Sequence, residues 1–394
     1  MQTILDYLDW RGDLSFTTSP FNEVDNLILS ELVYLELDGI VGGLESDDFP
    51  TLAQTQKELE RRGVKPSSPI NNPHILASKA AETDRYRDVR LAWYQSNVDA
   101  ARQVQYGAVT FFLPDGTVYV AFRGTDSTIV GWREDFNLWY SDSTPGQDHA
   151  LAYLDAVAGK TQGDLTVGGH SKGGNLAIYA AAFGPYRVRE RVRVVYSNDG
   201  PGFNKKIIAT PQYHAVLPKV RHIIPESSLI GILMANTPIK TIVKSTASGV
   251  QQHDPYTWAV LGTSFELADE LSSISLFAND TFNRWFTTMD EDSRRTVVNA
   301  VFDSWEASGA TTVSEFRSMN PSAYAAILKN VADLDADTKR EVMDSVGKLF
   351  EAGARTFAEG AKNRTKAALE QHVASRIQTS RVQMPALEHQ RPQS

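Results

Sequence analysis

The stretch that most constrains this chain is Gly169-His170-Ser171-Lys172-Gly173, set between an apolar run at residues 164–167 and an alanine-rich run at residues 173–182. Glycines two residues either side of a serine mean that two backbone segments crowd at a turn too tight for side chains. Leu165-Thr166-Val167 before it reads as a strand, and Asn175-Leu176-Ala177-Ile178-Tyr179-Ala180 after it reads as a helix. Gly168 and Gly174 fit the same crowding. A strand that turns this sharply into a helix presents the serine Oγ at the edge of a sheet, with the helix dipole favouring negative charge beside it. The plain alternative is a glycine-rich turn carrying an idle serine. The five residues alone do not exclude it in a chain with 26 glycines, and it is the flanking strand and helix that weigh against it.

The rest of the chain agrees with an α/β fold. Residues 105–113 and 117–122, rich in Val, Tyr and Phe, flank Pro114-Asp115-Gly116 and predict a β-hairpin. Residues 192–196, 220–224 and 239–243 supply further β-branched runs, and their alternation with helical segments implies parallel strands joined by crossover helices. Near the start, Val24, Leu27, Ile28 and Leu35 fall at helical spacing after Ser19-Pro20, while residues 47–73 read as loop around a short helix. Beyond Trp258 no strand pattern is apparent. Val298, Val301, Phe302 and Trp305 make one helical stripe, and Val342, Val346, Leu349, Phe350 and Phe357 make another. The expected organisation is a catalytic α/β domain over residues 1–260, a helical extension or cap over 261–377, and a disordered polar tail over 378–394.

A serine hydroxyl becomes a nucleophile when a base takes its proton and backbone N–H groups receive the oxyanion. With no cysteine in the chain, thiolate nucleophiles, thiolate metal sites and disulfides are excluded. A net charge of −9 argues against a nucleic-acid surface. The strand end Val120-Ala121-Phe122-Arg123-Gly124-Thr125 lies ahead of the serine, where a hydrolase of this type places its second oxyanion donor, so Thr125 is a candidate through its N–H and hydroxyl.

Ala121-Phe122-Arg123-Gly124-Thr125 with a downstream Trp132-x-x-Asp135, followed by Gly-His-Ser-x-Gly-Gly-Asn-Leu-Ala, resembles the class 3, fungal-type lipases. Residues 7–13, Asn198-Asp199-Gly200-Pro201-Gly202-Phe203 and Gln252-His253-Asp254-Pro255 extend the resemblance to a bacterial family of lipase-like α/β-hydrolases, over roughly residues 1–305. The resemblance implies an α/β-hydrolase fold and an oxyanion hole formed by the Thr125 and Lys172 N–H groups. It names no substrate.

In that fold the triad runs serine, acid, histidine along the chain. Of the histidines after Ser171, His222 sits inside a strand, His214 precedes one, and His372 and His389 are peripheral. His253, in a polar loop after the run at residues 239–243, is where the base belongs. His170, in the tight turn itself, reads as packing. Asp126, Glu134 and Asp135 precede the serine and are out of order for the acid. That leaves Asp199 and Glu226, each closing a strand. Asp199, short and set on a rigid Gly-Pro turn, is favoured; Glu226 is the alternative.

These readings lead to a serine hydrolase of carboxylic esters acting on a small-molecule or lipid ester, with no metal or organic cofactor. An acyltransferase or thioesterase with the same triad is one rival, and a non-catalytic module binding lipid or a partner is another. The acidic start, with Asp6, Asp9 and Asp13, does not read as a secretory signal, and no apolar run approaches the roughly 20 residues needed to span a bilayer. A cytoplasmic location is therefore expected, and amphipathic C-terminal helices are compatible with peripheral contact with a membrane.

Overall fold

The computed structural model describes residues 1–63, 73–99, 101–125, 129–139, 141–234 and 240–287, with isolated positions between 290 and 344. Four helices come first: α1 (Ile4–Arg11), α2 (Glu23–Leu32), α3 (Leu52–Arg61) and α4 (Pro73–Ala81). Then follow β1 (Arg90–Asp99), β2 (Val104–Phe112), β3 (Val118–Phe122), α5 (Ile129–Asn137), α6 (Pro145–Lys160), β4 (Leu165–His170) and α7 (Lys172–Phe183). The chain continues through α8 (Tyr186–Arg191), β5 (Val192–Asn198), α9 (Lys205–Ile208), α10 (Pro211–Val216), β6 (Val220–Pro225), β7 (Lys240–Val243), β8 (Val260–Leu261), β9 (Ser264–Phe265) and α11 (Ser273–Thr287).

Strands β1 to β7 form one sheet in chain order. The β1–β2 and β2–β3 pairs are antiparallel, and every pair from β3 to β7 is parallel. Order matters here. Crossovers between parallel neighbours share one hand, so strands laid down consecutively send their connecting helices to the same face of the sheet. Helices α6 and α7 accordingly pack on Val118, Val120, Phe122, Val167 and Val195 in one core. The opposite face would be bare. It is covered by α1 to α4, whose Leu8, Leu27, Ile28, Leu32, Leu52 and Leu76 form a second core with Val109, Phe111, Tyr119, Ala121 and Ile223. Strand β3 makes the division visible, because Val118, Val120 and Phe122 face one core while Tyr119 and Ala121 face the other. Helices α1 to α4 are thus the second layer of the α/β unit.

The anchor of that layer is a buried polar knot. The Arg85 guanidinium donates to both Asp25 oxygens at 2.8 and 2.5 Å, with each side chain fully buried, and Tyr86 Oη donates to the same carboxylate. Arg85 also donates to the carbonyls of Leu14 and Ser19, tying the first loop to α2.

Several local expectations need correction. Helix α2 starts at Glu23, later than Ser19-Pro20 suggests, because Asn22 caps it by accepting the Val24 and Asp25 N–H groups while Asp25 returns a bond to the Asn22 N–H. Two strands lie beyond Trp258, where none was expected: β8 and β9 form a hairpin turning at Gly262 (φ 66°), and two residues per strand are too few to register as alternation. Gln2 bridges Val260, so the hairpin holds the chain's first residues. The expected tail over residues 378–394, the stripe of Val342, Val346, Leu349, Phe350 and Phe357, and Val298, Val301 and Trp305 of the other stripe lie outside the described residues. Among the described residues no helix is long and apolar enough to cross a membrane.

Candidate active site

The site assembles at the C-terminal ends of β3 to β6, where loops leaving a parallel sheet converge. Ser171 stands alone between β4 and α7 with φ 56° and ψ −131°, a region that costs a non-glycine residue about 1–3 kcal/mol. Its surroundings hold it there. The Ser171 N–H donates to Asn198 O at 2.9 Å, linking the turn to β5. A Cβ on Gly169 would come within 2.4 Å of the Gly173 carbonyl carbon, and one on Gly173 within 2.1 Å of Phe122 O, so glycine is required on both sides.

His253 ends a short 3₁₀ turn (Gly249–His253) in the loop after β7. Its Nε2 lies 3.1 Å from Ser171 Oγ and its Nδ1 lies 2.6 Å from Asp199 Oδ2. A carboxylate oxygen only accepts, so Nδ1 carries the hydrogen and Nε2 is free to accept from the serine hydroxyl. Asp199 is fully buried, with φ 50° immediately after β5. Its N–H donates to Ile223 O at 2.8 Å, which fixes the turn against β6. Its other oxygen, Oδ1, accepts from Ser228 Oγ at 2.5 Å and from the Gly231 N–H at 3.1 Å. Both oxygens are engaged, which leaves the carboxylate one orientation.

Glu226, the alternative acid, is turned elsewhere. Its N–H donates to Val243 O, and its carboxylate receives Gln252 Nε2 at 3.4 Å. Neighbouring Ser228 is the residue that matters for this geometry, and sequence reasoning passed over it because nothing local ties a serine after β6 to an aspartate after β5.

On the other side of Ser171, the end of β3 lies directly against the turn. A Cβ on Gly124 would meet His170 O at 2.4 Å and Ser171 Cβ at 3.1 Å. This close approach sets Gly124, the residue before Thr125, against the serine. Thr125 Oγ1 donates to Asp135 Oδ2 at 2.6 Å, and burial pushes the Asp135 carboxyl up to about 6. Lys172 opens α7, where the first N–H groups have no acceptor within the helix. Its ammonium is buried and donates to Gln105 O (2.8 Å), Gln105 Oε1 (2.7 Å) and Glu134 Oε2 (2.8 Å). Glu134 also accepts the Gln105 and Gly146 N–H groups at 3.0 and 2.6 Å. Two of the three carboxylates that chain order had set aside, Asp135 and Glu134, thus brace Thr125 and Lys172.

His170 is more than packing. Its Nε2 lies 2.9 Å from the His253 carbonyl oxygen, its Nδ1 lies 3.3 Å from Glu31 Oε1, and its ring centroid is 4.7 Å from that of His253. His222 is buried in β6, and burial pushes its imidazole down to about 3. Among the described residues no three His, Asp or Glu side chains converge as metal ligands.

No curated protein matches the chain. A family model described as Mbeg1-like matches residues 80–303, more than half of the sequence. The matched segment takes in all seven strands of the sheet, the glycine-flanked serine and the loop that carries His253. The chain therefore belongs to the Mbeg1-like family, a lipase-like family.

Proposed function

We propose that this protein is a serine hydrolase of carboxylic esters in which Ser171 is the nucleophile, His253 the general base and Asp199 the orienting acid. The observation that carries this reading is the continuous line from Ser171 Oγ to His253 Nε2 at 3.1 Å and from His253 Nδ1 to Asp199 Oδ2 at 2.6 Å. As Oγ attacks the ester carbonyl, its proton passes to Nε2 and a tetrahedral oxyanion forms. The Thr125 and Lys172 N–H groups receive that charge. His253 then returns the proton to the departing alcohol, leaving an acyl group on Ser171. Water, deprotonated by His253, releases the acid and restores the serine. Asp199 stays ionised throughout and stabilises the imidazolium.

Three further observations support the assignment. The serine sits in a strained turn after a parallel strand, as nucleophiles of this fold do. The order Ser171, Asp199, His253 along the chain is that of α/β-hydrolases. The oxyanion-side residues resemble those of class 3 lipases, whose Trp-x-x-Asp carries the equivalent of Asp135.

A fluorophosphonate probe tests the reading. The expected result is a single adduct on Ser171, lost in Ser171→Ala and strongly slowed in His253→Ala. Absence of any adduct on correctly folded protein removes the hydrolase reading and favours a non-catalytic binding module. A panel of nitrophenyl esters from short to long acyl chains then assigns chain-length preference, and an added alcohol or amine distinguishes acyl transfer from hydrolysis.

A further inference from the structure

Helix α2 reaches the site at three points. Asn26 Nδ2 donates to Asn198 Oδ1 at 2.9 Å, and Asn198 O holds the Ser171 N–H. Tyr34, just beyond the helix, accepts the Gly124 N–H on its Oη at 3.1 Å. Glu31 Oε1 lies 3.3 Å from His170 Nδ1. All three residues lie before residue 80, outside the segment that the family model matches.

The third contact joins two buried titratable groups, Glu31 at 5% and His170 at 7% exposure. His170 Nε2 faces the His253 carbonyl oxygen at 2.9 Å; a carbonyl only accepts, so Nε2 bears a hydrogen. Nδ1 then faces Glu31. A carboxylate opposite a bare nitrogen lone pair, both buried, is repulsive, so one proton lies between them. Glu31 Oε1 has no hydrogen-bond partner elsewhere among the described residues. Burial raises the Glu31 carboxyl and lowers the His170 imidazole, and both directions favour the neutral acid facing the neutral ring. The other titratable groups here are Tyr34 from the end of α2, and His253, Asp254 and Tyr256 from the loop after β7; burial pushes Asp254 up to about 6.

We propose that Glu31 and His170 are a positioning pair for His253: Glu31 fixes the tautomer of His170, and His170 grips the backbone carbonyl and one ring face of His253. The loop carrying the base has little regular structure of its own, being a short 3₁₀ turn. Asp199 holds the imidazole by one nitrogen, which leaves rotation about that bond open. The grip on the carbonyl closes it, keeping Nε2 within reach of Ser171 Oγ. This inference rests on the role of His253 given above, and it assigns a function to a helix that otherwise only covers the sheet.

The test uses the full chain with Glu31→Leu, Glu31→Gln and His170→Phe. A displacement of the base by about 1 Å costs on the order of 10²-fold in rate. Glu31→Leu and His170→Phe are therefore expected to lower kcat on a nitrophenyl ester by about 10- to 100-fold with KM little changed. Glu31→Gln, whose amide N–H still donates to Nδ1, is expected to restore most of the loss. Nitrogen-15 NMR of the imidazoles reads the pair without any turnover: in the wild type, His170 is expected to hold its hydrogen on Nε2 and not to titrate between pH 5 and 9. A His170 ring that titrates in that range, or kcat unchanged in Glu31→Leu and His170→Phe while only the denaturation midpoint falls, overturns the proposal. If the wild type neither turns over ester nor takes the fluorophosphonate probe, the hydrolase reading fails by itself. The NMR result then still decides whether the pair shares a proton.

Discussion

Lys172 has two parts in this account, and they can be pulled apart. Its backbone N–H belongs to the proposed oxyanion hole, whereas its side chain runs back into the fold and ends on Gln105 and Glu134, both ionic partners having no exposed side-chain surface. Lys172→Met keeps most of the stem and removes the ammonium, leaving the Glu134 carboxylate buried with the Gln105 and Gly146 N–H groups as its remaining donors. Breaking one side of a buried pair costs about 3–5 kcal/mol; the two surviving bonds put this case near the lower end, at about 3 kcal/mol. With a urea dependence of about 3 kcal/mol per molar, the unfolding midpoint should fall by about 1 M. The double substitution Lys172→Met with Glu134→Gln removes the stranded charge and should recover part of that loss. Turnover per folded molecule should stay within several-fold of wild type, because the donor to the oxyanion is main chain. Equilibrium urea unfolding followed by intrinsic fluorescence, with ester turnover measured well below the transition, reads both quantities. An unchanged midpoint in the single variant, or a double variant weaker than the single, would show that the Lys172 ammonium does not neutralise Glu134 in the fold.

Asp199→Asn should lower turnover on an activated ester by about 10⁴-fold, as loss of an orienting carboxylate does in the serine-protease triad, while Glu226→Gln should remain near wild type. The reverse pattern in steady-state assays would transfer the acid to the loop after β6. Ser228→Ala removes one of two donors to Asp199 Oδ1 and should destabilise the fold by about 1.5–3 kcal/mol, the range for a hydrogen bond to a charged group, with a smaller loss of turnover than Asp199→Asn. Thermal unfolding together with turnover checks it. For pH, the folded Asp135 carboxyl titrates near 6, above its unfolded value near 4. The folded state therefore holds more protons across that window, and stability falls as pH rises from about 4 through 6. Asp135→Asn should flatten this slope in part, with Asp254, also raised to about 6, and the Glu31 and Glu23 carboxyls, both raised by burial, supplying what remains. Urea midpoints at pH 4, 5, 6 and 7 measure it.

How far the sequence carried depends on how local each signal is. The turn at Ser171 is written in adjacent residues, and the strand and helix around it appear as β4 and α7. His253 followed from chain order and a polar loop, Asp199 from the rigidity of its Gly-Pro turn, and both lie in one line with Ser171. What escaped is non-local. Ser228 reaches Asp199 across 29 positions, and Glu31 reaches His170 only because α2 lies over the sheet. That placement follows from strand order, which periodicity does not encode. Strand β1 was missed for a different reason: its pairing slips between Ala92 and Gln95, with Trp93 at φ 57°, and the irregularity erases the alternation that marks a strand. Helix α6 also went unread, although Ala150, Tyr153, Leu154, Val157 and Ala158 repeat at helical spacing on its buried face.

In the proposed reaction Ser171 carries the acyl group of an ester during turnover. Acid-quenching the protein with a short nitrophenyl ester in its first turnovers, then measuring the intact and peptide masses, tests it directly. An added acyl mass is expected on the peptide containing Ser171, formed with a burst of nitrophenol, held longer when Asp199 is replaced by Asn, and absent from Ser171→Ala. Ester turnover without an adduct, or turnover that persists in Ser171→Ala, would contradict it.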